Sequence, residues 1–128
     1  MKIATNIAGV LLFLVFTCMA LLLMLKVIPM PPPPPEGTPA AMFMGAVAPT
    51  GYLTMIQLFE MIGGILVVIP KTRNFGLLVL GPIIVNILAF HIFIMKGEGL
   101  FNPPVILVSV LAAFLLWAGR KSFAGLMN

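Results

Sequence analysis

Charge is scarce in this chain: charged residues make up 8% of its 128 residues, against 62% hydrophobic. A soluble domain of that size needs about a quarter charged residues to cover its surface, so none fits here. The single cysteine, Cys18, excludes an intramolecular disulfide and a Cys-x-x-Cys redox pair. One histidine, His91, cannot supply both axial ligands of a haem. The three acidic residues are Glu36, Glu60 and Glu98, too dispersed in sequence to give a metal-site spacing with His91 or Cys18. Neither a Gly-rich phosphate loop nor a Ser–His–acid set can be drawn, so no catalytic residue and no metal ligand is expected. The net charge of +4 is informative through its placement and not as a sign of nucleic-acid binding.

What is present is hydrocarbon. Four apolar runs predict an all-α membrane protein, a single domain over 1–128 with spans at about 3–28, 51–69, 75–95 and 103–119. The first run stays apolar for more than the roughly 7–15 residues of a secretory h-region, and the residues before Cys18 do not suit a lipoprotein signal. It is read as a retained helix. On alternating sides, Lys2, Lys71, Arg73, Arg120 and Lys121 fall together, while Lys26 and Lys96 share the other side with Glu36 and Glu98. The positive-inside rule then predicts a four-helix antiparallel bundle with both termini cytoplasmic. Tyr52 and Trp117 fall near opposite boundaries, where amphipathic rings prefer to sit.

The loop 29–50 is Pro-rich. Pro31–Pro35 predicts a stiff polyproline spacer, and Ala40–Ala48 a short helix at the outer interface. Asn102 before Pro103-Pro104 reads as a helix start with a capping side chain.

Polar residues interrupt the second and third runs. Gln57 and Glu60, three apart, share a face of one helix; Asn86 and His91 lie on the next. The turn Pro70–Asn74 makes those helices an antiparallel hairpin, with Glu60 and Asn86 near the bilayer centre. Ten Leu, Ile, Val or Phe side chains favour insertion of the second span by about −3 to −6 kcal/mol. A central acid costs on the order of +3 kcal/mol, so Glu60 is expected to turn inward, towards Asn86. Gly63 and Gly64 allow a neighbouring backbone close. Pro82 lies on the face of Asn86, whereas His91 is about 140° round an ideal helix from it. Thr17 is expected to bond its own backbone or Glu60, and Ser109 lies level with His91.

Three functions fit this row of Gln57, Glu60, Asn86 and His91. It is a site for the head group of a quinone-like ligand or a proton relay, as intramembrane ionisable residues commonly are. Alternatively, a neutral Glu60 carboxyl donating to Asn86 is a lock between helices in a structural or assembly subunit. The methionines, with Met42 and Met44 flanking Phe43 and Met30 nearby, raise a small transporter or soft-metal handler as a third class.

Gly51-Tyr52, Glu60 with Gly63-Gly64, Arg73, Gly81-Pro82-Ile83-Ile84-Val85-Asn86-Ile87 and Phe90-His91 together resemble the DoxX-like family of small four-helix bacterial membrane proteins. The likeness runs from Pro29 to about Gly99. It departs in the first helix, where many members carry a glycine and a polar or basic residue and this chain has Met19 to Leu25. The resemblance implies the inner (cytoplasmic) membrane of a bacterium. It also implies an accessory subunit of a quinone-linked redox complex, with no activity of its own. Its partners would be the lipid bilayer and other membrane subunits or further copies of itself, and quinone is the one cofactor it brings in.

Overall fold

The computed structural model describes residues 2–29 and 32–127 and contains no strand among them. Met30 and Pro31, which belong to the soft-metal and polyproline readings, lie outside the described residues. The helices are α1 (Lys2–Met24), α2 (Pro39–Val47), α3 (Tyr52–Val68), α4 (Arg73–Ile94), α5 (Pro103–Ala118) and α6 (Arg120–Ala124). Two of them, α1 and α4, are long and apolar enough to cross a membrane; there are up to four spans if each bent pair counts as one. The bent pairs are α2 with α3, at 86°, and α5 with α6, at 73°.

The local chemistry explains most boundaries. Thr38 caps α2 by accepting from the Ala41 amide at 3.2 Å, and Pro39 occupies its first position. Prolines also open α5, but the Asn102 side chain makes no capping bond; the fixed proline φ and the extended Asn102 backbone are enough. The first helix stops at Met24 and not at residue 28, because Lys26 turns left-handed (φ 58°). The Val27 amide then closes on the Leu22 carbonyl at 3.0 Å. In the same way Lys96 (φ 55°) and Gly97 end α4.

Glycines set the packing. A β-carbon at Gly63 would stand 2.6 Å from Leu80, and one at Gly76 would stand 2.6 Å from Val67. Those pairings run in opposite order along the chain, so α3 and α4 are antiparallel and nearly touch there. The largest fully buried side chains are Leu12, Val67, Leu80 and Leu115, one each from α1, α3, α4 and α5. Four helices therefore meet at one core. That core lies towards the Arg73 end: α3 buries Gly63, Gly64 and Val67 but nothing between Tyr52 and Ile62. Elsewhere large apolar side chains face outward, including Val85, Phe93 and Val110. So wide an apolar surface suits lipid and not water.

Candidate functional site

Where α3 and α4 pass beyond the Gly63–Leu80 contact, a groove of about 720 Å³ opens between them. Glu60, Asn86 and His91 line it; nearly all its other walls are apolar, among them Phe59, Pro82 and Ile87. Phe43 from α2 roofs the end farther from Arg73, 5.4 Å from the Phe90 ring, which in turn meets His91 edge-on at 5.6 Å. The sharp bend between α2 and α3 puts Phe43 there.

The structure thus gathers three of the four expected polar residues and leaves out one. Gln57 is half-buried but off the groove. Three residues advance a helix by about 300°, so Gln57 and Glu60 sit on adjoining strips of surface and not on one line. Asn86 and His91 share the groove because its lining wraps far round α4, taking in Ile87, Ala89, Phe90 and Ile94 as well; the helix stays α-helical to Ala89 and widens into a π-helical turn only at Phe90–Ile94. There the Met95 amide bonds Phe90 at 2.9 Å, which lessens the rotation per residue.

The expected Glu60–Asn86 bond is not formed. The Asn86 amide donates to the Pro82 carbonyl of its own helix at 2.9 Å, and the residue is exposed. A carbonyl one turn back is always within reach of a short polar side chain, whereas a partner across the interface depends on register. Glu60, half-buried, makes no side-chain hydrogen bond among the described residues. Ser109 likewise bonds Val105 in its own helix at 2.8 Å and not His91. Thr17 does neither thing expected of it: its hydroxyl donates to the Met61 carbonyl of α3 at 2.9 Å, from a π-helical turn of α1 (Leu14–Cys18) set against Gly64.

His91 Nδ1 lies 2.8 Å from the Ile87 carbonyl. A carbonyl only accepts, so Nδ1 carries the proton and, in the neutral ring, Nε2 is an acceptor. The Asn86 amide oxygen is also an acceptor, and the Glu60 carboxyl can accept or, when neutral, donate. The groove therefore offers a long apolar trough with hydrogen-bonding groups at its middle and at the end roofed by Phe43. No group of three His, Cys, Asp or Glu side chains placed to hold a metal occurs among the described residues.

Sequence reasoning counted Arg73 among the cations of one membrane side and missed its place in the core. The residue is buried, only 9% exposed, and its Nε donates to the Val67 carbonyl at 2.9 Å while Nη2 donates to Asn6 Oδ1 at 3.0 Å. Nη2 also reaches the Val68 carbonyl at 3.5 Å. The guanidinium closes the C-terminus of α3, where the helix dipole favours a cation, and ties α1 to it. Gly9 makes the space: a β-carbon there would stand 2.9 Å from the Val67 oxygen. The signal was legible, since Asn6 and Gly9 are one turn apart near the start of a mostly apolar helix.

No protein-family model matches the chain, and no curated protein or solved structure matches it either.

Proposed function

We propose that the chain is a four-span antiparallel bundle with both termini cytoplasmic, and that its α3–α4 groove holds the head group of a quinone-like lipophile for a redox complex in which the chain is an accessory subunit. The observation that carries this reading is the groove: apolar walls, three polar side chains in its lining, and a volume within the usual ligand-pocket range of about 300–1,000 Å³. The apolar trough suits an isoprenoid-like tail. His91 Nε2, Asn86 and Glu60 suit the polar ring. The resemblance of Gly51–Met95 to DoxX-like proteins supports the quinone-linked and bacterial inner-membrane parts of the reading. The rival is a structural subunit with no ligand, and the absence of a Glu60–Asn86 bond counts against the helix-locking form of it.

The test is the quinone content of protein purified in mild detergent, by extraction and chromatography. Wild type is expected to retain quinone, with His91→Ala and Glu60→Gln each retaining about tenfold less, as loss of one buried hydrogen bond of about 1.4 kcal/mol implies. Equal retention in folded wild type and both variants removes the proposal.

A further inference from the structure

Four exposed cations are drawn to the end of the bundle opposite the groove's mouth. Asn6 of α1 touches Arg73, which brings Lys2, one turn earlier, to the α3–α4 turn that carries Lys71. Gly119 abuts Asn74 of the same turn, with a β-carbon there only 2.7 Å from its Oδ1, and Arg120 and Lys121 follow immediately. No acidic residue is available at this end: Glu36 and Glu98 lie in loops at the other end, and Glu60 lies in the groove. No ion pair engages any of the four cations among the described residues.

The surroundings of this patch are apolar. The chain turns through 73° after α5, so that α6 and the following turn run across the end of the bundle, with Trp117, Leu126 and Met127 exposed around the cations. Arg120 is held in place, its guanidinium 4.5 Å from the centre of the Trp117 ring and donating to the Trp117 carbonyl at 2.8 Å. A soluble anion or an acidic protein has no use for that apolar rim. An anionic phospholipid does: its phosphate meets the cations while its acyl chains lie along the exposed ends of α5 and α6.

We infer that Lys2, Lys71, Arg120 and Lys121 form a binding surface for anionic phospholipid head groups, with Arg120 fixed by Trp117 as its centre. This rests on the chain crossing a bilayer and not on what the groove holds, so the two proposals fail separately.

The full chain in mild detergent is titrated with phosphatidylglycerol or with phosphatidylcholine, and bound lipid is counted by native mass spectrometry. Phosphatidylglycerol is expected to bind more tightly, by about fivefold for each cation engaged, and the preference should shrink at high salt. Arg120→Gln/Lys121→Gln should lose most of that preference, while Arg120→Lys keeps it. Lys26→Gln/Lys96→Gln, at the other end, should leave it unchanged. Equal binding of the two lipids by wild type overturns the inference. So does an equal loss in the far-end variant, which would reduce the effect to net charge. Inorganic phosphate competing as well as the lipid would assign the surface to a soluble anion and overturn it too.

Discussion

At Arg73, oxygens of neutral groups stand where a carboxylate would be expected: the Val67 and Val68 carbonyls and the Asn6 amide. The arrangement depends on the forked geometry of the guanidinium, because Nε and Nη2 point at different helices. A lysine ammonium can reach one of these groups but cannot hold both. Arg73→Lys is therefore expected to destabilise the bundle by about 1–3 kcal/mol, read as a lower unfolding midpoint in mild detergent. An unchanged midpoint would show that α1 is held without it. At this scale the sequence was an incomplete guide. It identified Glu60, Asn86 and His91, which do share a groove, but assigned Thr17, Asn86 and Ser109 partners that the side chains do not take. Asn86 and Ser109 spend their donors on carbonyls of their own helices, a competition that is decided by local reach and not by depth in the membrane.

Among the elements, the helix ends show how boundaries are drawn without the usual glycine. Lys26 and Lys96 both take left-handed backbone to finish α1 and α4, a conformation that costs a side-chain-bearing residue about 1 kcal/mol or more. Gly97, next to Lys96, continues the reversal, its amide 2.6 Å from the His91 carbonyl. Lys96→Gly should raise stability by about 0.5–1 kcal/mol, the relieved strain less the extra unfolded-state entropy of glycine. Thermal unfolding in detergent reads it, and a fall in midpoint would mean that the lysine side chain contributes more than its backbone costs. The prolines that open α5 were legible because their physics is local, whereas the cap expected of Asn102 does not form and the Thr38 cap of α2 was not foreseen. The π-helical turns at Leu14–Cys18 and Phe90–Ile94 were not legible either. Each adds a residue to a turn at a contact with another helix, and nothing in the local residue pattern marks it.

For the whole molecule, the four-span proposal sets the Pro-rich loop and α6 on opposite sides of the membrane. In a Cys18→Ser background, a membrane-impermeant maleimide added to intact cells should label Pro33→Cys and spare Ser122→Cys until the membrane is opened. Labelling of both positions in intact cells would break the topology. That the chain is apolar and helical follows from composition and run length alone, because in hydrocarbon a continuous apolar run of about 20 residues can satisfy its backbone only as a helix. The sequence by itself also located α1 to α5 to within a few residues, though not α6, and named the few polar groups they carry. Only the tertiary structure decided that the core gathers at the Arg73 end around Leu12, Val67, Leu80 and Leu115, leaving the groove at the other. The reason is steric: Gly63, Gly64 and Gly76 let backbones close at one level, and which level that is depends on how three helices register against one another, a quantity no single stretch of chain contains.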